Sequence, residues 1–192
     1  MKKKIALLLL TVMALTLVAC GEKDTANNDD AADNGKQAES ALDVLQSTWE
    51  TYEDENKFAA AGGDSANMVM DGPGKFDATN AEELDFTLGL PNDAVSKIDD
   101  AASLMHMMNA NTFTSGAYHV TNADDVQSVA DALKESIMNR QWMCGFPETL
   151  IIVKVNDNYL VSAFGNGEII QTFKTKLTGV FADATVVYEE SL

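Results

Sequence analysis

Few side chains in this sequence have the chemistry of a reactive site. His106 and His119 are the only groups whose ordinary titration falls near neutral pH. The chain has two cysteines, Cys20 and Cys144. The run Met105-His106-Met107-Met108 sets thioethers beside an imidazole, a ligand set suited to Cu(I). Methionine also fills irregular gaps in cores. The run therefore reads first as core, with a copper site as the alternative. Trp142-Met143-Cys144-Gly145-Phe146-Pro147 gathers large apolar groups in a connection between a helix and a strand. Aromatic residues in such a loop either anchor a partner or seal the end of a core. Trp142 and Phe146 are the candidate partner contacts. Cys144 has no neighbouring base, and Arg140, one turn back, is the only cation placed to lower its pKa, so it is not read as a nucleophile.

Other motifs fail on spacing. There is no G-x-S-x-G, H-E-x-x-H or C-x-x-C. Gly74-Lys75 lacks the earlier glycine of a P-loop, and Phe76 stands where Ser or Thr would reach magnesium. The acidic cluster from Asp29 to Gly35 lacks the alternating spacing and closing Glu of a calcium loop. No catalytic, cofactor-binding or metal-ligating residue is assigned. The expected cofactor is none, and the reading leans away from an enzyme.

The one strong chemical signature lies at the start. Lys2, Lys3 and Lys4 precede an apolar run, Ile5 to Ala19, which closes on Leu17-Val18-Ala19-Cys20. A basic head, a short apolar core and small residues before the cut make a secretory signal peptide. The run is too short to span a bilayer, which takes about 20 residues. Its end looks like a lipobox, where bacterial lipoprotein processing attaches lipid to a cysteine and cuts before it. Residues 1–19 are thus expected to be the signal, with Cys20 the lipid anchor. The partner expected at this end is the membrane, reached through that lipid, with the rest of the chain outside the cytoplasm.

Composition narrows the partners. The formal charge is −17, and losing a leader with three lysines makes the remainder more negative. Nucleic-acid binding is excluded as an expectation, because it draws on cationic contacts with phosphate. Anionic lipid surfaces are disfavoured for the same reason. Attraction to cations and cationic peptides remains.

The elements that would position these residues come next. Residues 20–40 contain no large apolar side chain and are expected to form a disordered acidic tether. Residues 41–192 are long enough for a single domain with its own core. A first helix begins at Ser40, capped with Asp43, with Leu42, Leu45, Trp49 and Tyr52 on one face. The stretch from Phe58 to Phe76 reads as mostly irregular, with a short strand near Met68-Val69-Met70. Glu83 to Leu90 fits a strand or a short helix, and Pro91 opens another helix. Ala101 to Asn109 suits a helix by Met105 and Met108 or a strand face by Leu104, His106 and Met108; the strand is preferred, pairing with Thr114–Val120 across Asn109–Phe113 and setting His106 nearer Gly116 than His119, so the imidazoles need not converge. Thr121 to Arg140 is the clearest helix, capped by Thr121 and Asp124, with Val126, Val129, Leu133 and Ile137 inward. Leu150–Val155 and Tyr159–Phe164 form a hairpin across Asn156-Asp157-Asn158. A helix with Ile169, Ile170, Phe173 and Leu177 inward then runs to Gly179, and Thr185–Tyr188 is the last strand. The order is α, then β-β-α-β-β-α-β. This is an α+β domain, an antiparallel sheet with helices on one face.

The segment from Asp93 to Val180 resembles a group of small lipoproteins of Gram-positive anaerobes. The likeness lies in KIDDAASLMHMMNANTFTSGAYHV and QWMCGFPETLIIVKVNDNYLVSAFGNGEII. Those proteins carry a domain of unknown function, and some look-alikes are labelled bacteriocin transport accessory proteins. Accessory proteins of that name are usually thought of as thioredoxin-like, whereas this chain lacks C-x-x-C. The resemblance carries no functional residue across. It implies a tethered accessory module that binds a protein or peptide. The alternative is a small-ligand or metal-binding lipoprotein associated with a transporter.

Overall fold

A computed structural model describes residues 35–108, 112–143 and 145–192. The expected signal segment, Cys20, most of the expected tether and Cys144 lie outside the described residues.

The fold is α+β, built on an eight-stranded antiparallel sheet. The first helix, α1 (Ala41–Glu50), starts where expected: Ser40 Oγ accepts the Asp43 N–H at 3.0 Å. Three short strands follow, β1 (Ala60–Gly62), β2 (Val69–Met70) and β3 (Gly74–Phe76). Of these only β2 was expected. The sequence around β1 and β3 is dominated by glycine and alanine, and it forms strands because the backbones must approach closely. A Cβ on Gly62 would lie 2.2 Å from the Gly74 nitrogen. Asp64, nearly buried, fixes the intervening loop by accepting from the N–H groups of Ala66, Asn67 and Asp77.

The stretch left open between strand and helix is helical. It comprises α2 (Ala81–Glu83), a π-turn over Leu84–Leu88 and α3 (Asn92–Val95). Then come β4 (Ile98–His106), β5 (Phe113–Val120), α4 (Val126–Met138), β6 (Thr149–Val155), β7 (Tyr159–Gly165), α5 (Gly167–Val180) and β8 (Thr185–Ser191). The expected order from β4 onward is found. The sheet order is β2-β1-β4-β5-β7-β6-β8, with β3 also beside β4.

The α+β class stands, but the helices cover both faces of the sheet rather than one. Helices α1 and α5 pack with Ala102, Leu104, Ile151, Val153 and Val161. Helix α4 and the π-turn pack on the opposite face with Tyr118, Leu150, Ile152, Leu160 and Phe164. The reason is in the strands themselves. In β6, Leu150 to Val153 is apolar without alternation, the pattern of a strand buried on both sides.

The β4–β5 register also differs from expectation. Gly116 faces Ser103, not His106, and Leu104 faces Ser115. In the expected pairing Leu104 would have sat opposite Tyr118. Leu104 belongs to the α1–α5 layer and Tyr118 to the α4 layer, so that register would have turned one of them the wrong way.

Three terminus details are corrected as well. A single 3₁₀ turn capped by Asn122 precedes α4, while the Thr121 hydroxyl donates to the Lys97 carbonyl. Gly179 lies within α5, which ends one residue later against buried Phe181. Residues assigned to the end of the tether are held to the domain: Asn156 accepts from the Ala38 N–H at 2.7 Å and donates to the Asp183 carboxylate.

Candidate partner-binding site at the end of α4

The π-turn and the loop after α4 meet at Arg140. Leu84 and Leu88 are fully buried, which drives this segment onto the α4 face of the sheet. Gly89 closes the turn at φ +77°, a left-handed conformation that favours glycine. The Arg140 guanidinium donates to the Phe86 carbonyl at 3.0 Å and to the Asp85 carbonyl, and it reaches the Asp85 carboxylate at 3.3 Å. These are carbonyls at the C-terminal end of a helical turn, where a cation is favoured. The same guanidinium lies 5.7 Å from the centre of the Trp142 ring. One side chain thus ties the π-turn to the loop.

The structure separates the two residues that the sequence grouped. Trp142 is half-buried and packs against Phe164, with ring centres 5.3 Å apart. It helps to seal the core. Phe146 is 73% exposed, and two further apolar residues that sequence reading did not single out are exposed as well, Met143 at 90% and Phe86 at 82%. Phe86 and Met143 line a groove of about 840 Å³ with Trp142, Arg140, Glu82 and Asp85. On the other side of Trp142 lies a smaller cavity of about 180 Å³, whose walls include His106, Thr112, Thr114, Gly145 and Pro147.

His106 stacks on Phe58, with ring centres 4.8 Å apart and planes 11° from parallel. Its Nδ1 accepts the Met108 N–H at 2.9 Å, so the neutral ring carries its proton on Nε2. No ring lone pair is then left for a metal. Burial holds the His106 pKa below its ordinary value. Met107 and Met108 are exposed at the strand end rather than packed in the core.

His119 lies far from His106, opposite Asp100 on β4. The strand rise puts the two rings about 20 Å apart. Its Nδ1 donates to Asp99 at 2.5 Å and its Nε2 accepts from the Asn158 amide at 2.7 Å. Both ring nitrogens are occupied, one joining β5 to β4 and the other joining β5 to the β6–β7 turn. Among the described residues no group of three or more His, Cys, Asp or Glu could hold a metal ion. No helix among them is long and apolar enough to cross a membrane.

No family model matches the chain, and neither a curated protein nor a solved structure matches it.

Proposed function

We propose that this protein is a lipoprotein anchored through Cys20, whose domain outside the cytoplasm binds a protein or peptide partner without catalysing a reaction. The anchor rests on the basic, apolar and small-residue pattern of residues 1–20. Partner binding rests on one observation: Phe86 and Met143 are exposed in a groove that Trp142 also lines. Large apolar side chains held out in water at one place mark an interaction site. Strong negative charge excludes nucleic acid as that partner.

The test is cross-linking of the lipidated protein in its own membrane. A Cys20→Ala form is expected to remain as unprocessed precursor. One specific partner is expected, and it is lost when Phe86→Ser and Met143→Ser are combined on a still-folded domain. Normal processing of Cys20→Ala sinks the anchor, and the absence of any specific cross-link sinks partner binding. A second reading, a small-ligand lipoprotein serving a transporter, is favoured by the cavity at His106. A saturable rise in melting temperature with a metabolite would select it.

A further inference from the structure

We propose that the segment of the partner seated in the larger groove is a cationic amphipathic helix. This inference rests on the partner-binding reading. Three observations carry it.

The groove is apolar along Phe86, Trp142 and Met143, and its rim is acidic. Glu82 and Asp85 line it directly. Asp85 also opens onto an adjoining hollow lined by Asp93 and Glu135. Glu82, Asp93 and Glu135 are exposed and form no ion pair among the described residues.

Arg140 is the one cation lining the groove, and its donors are already turned to the Asp85 and Phe86 carbonyls. What faces an incoming partner is therefore negative charge beside apolar surface. The complement is a segment with large apolar side chains on one side and Lys or Arg on the other. The chain's net charge of −17 adds a long-range attraction of the same sign.

The geometry selects a helix over a strand. An added strand needs a free sheet edge. The edge strands here are β2, β3 and β8, whereas the groove is lined by residues of the helical segment around the π-turn and of the loop after α4, and by none of any strand. A helix laid into a groove needs only apolar anchors at helical spacing.

The full-length protein in detergent is titrated with a helical Leu/Lys peptide, its Leu/Glu counterpart, and a Leu/Lys scramble with no apolar face. The Leu/Lys helix is expected to bind, with affinity falling on the order of tenfold when salt is raised to about 0.5 M. Combining Glu82→Lys, Asp93→Lys and Glu135→Lys is expected to weaken it on the order of a hundredfold and to admit the Leu/Glu helix instead. Phe86→Ser with Met143→Ser is expected to abolish binding of either helix. Equal binding of the scrambled peptide, or no effect of the charge reversals, overturns the inference. If the membrane cross-link is lost with Phe86→Ser and Met143→Ser but survives both charge reversal and salt, partner binding stands and the cationic helix falls. If it survives all of these, both fall.

Discussion

Arg140 is the residue on which the site should turn, and Arg140→Met tests this. The substitution keeps much of the apolar stem but removes the donors to the Phe86 and Asp85 carbonyls. A hydrogen bond from a charged group contributes about 1.5–3 kcal/mol. The Arg140 side chain is 20% exposed, so water reaches the orphaned carbonyls and the lower end of that range applies to each. The surface ion pair with Asp85 adds under about 1 kcal/mol and fades with salt. The expected loss is about 3–4 kcal/mol, a sizeable part of the ~5–15 kcal/mol that holds a domain together. In thermal unfolding that is a fall of roughly 6–16 °C. Arg140→Lys should recover only part of it, because a point charge on a flexible stem cannot span two carbonyls as a planar fork does. Urea unfolding followed by circular dichroism reads the stability, with the slope on denaturant expected unchanged. Hydrogen exchange over residues 84–90 reads the turn itself. If Arg140→Met costs less than about 0.5 kcal/mol, or those amides are no less protected, the guanidinium is not what holds the π-turn and the argument fails.

Two further outcomes follow from the same region. Gly89→Ala forces a side chain into φ +77° and sets its Cβ 2.6 Å from Ile137 Cγ1, so a loss of about 1–3 kcal/mol is expected in denaturant unfolding; a neutral result would mean that α4 can shift away at no cost. His106 has its folded pKa lowered by burial, so its stabilising effect is complete above the unfolded value of about 6.5. That effect is lost as pH falls through the lower folded pKa, because the unfolded chain takes the proton first. Wild-type protein should therefore lose more stability than His106→Asn between about pH 7 and pH 5, and identical pH profiles would count against a buried neutral ring.

The parts of the fold legible in the sequence are those where one periodicity is unmistakable. In α4, Val126, Val129, Leu133 and Ile137 are inward as their spacing requires, and all are buried. The β6–β7 hairpin follows from two apolar runs around Asn156-Asp157-Asn158, and Asn156 does adopt positive φ at +50°. What escaped was structure that depends on more than one element. β1 and β3 carry almost no strand propensity and exist because β4 offers an edge to which both can pair. The β4–β5 register was open because Ala101, Ala102 and Ser103 are too small and alike to mark a face. The large residues Leu104 and Tyr118 decide it only once helices are known to lie on both sides.

The same ambiguity hid half of the site. In Leu84-Asp85-Phe86-Thr87-Leu88, strand periodicity puts Phe86 on the buried side with Leu84 and Leu88. Helical periodicity turns it away from them. A segment open to both readings cannot tell a core phenylalanine from an exposed one. Only the helical form, closed by Gly89 and tied by Arg140, brings Phe86 out beside Met143. Trp142 was visible from the start as one of two tryptophans, and it turned out to be the wall between groove and cavity rather than the exposed anchor. Exposure of Phe86 costs the domain buried apolar area of its own, since fully burying such a side chain contributes about 1.5–3 kcal/mol. The turn keeps it outside while Leu84 and Leu88, two positions to either side, are fully buried. By holding the turn in that form, Arg140 keeps Phe86 available to the partner-binding surface we propose.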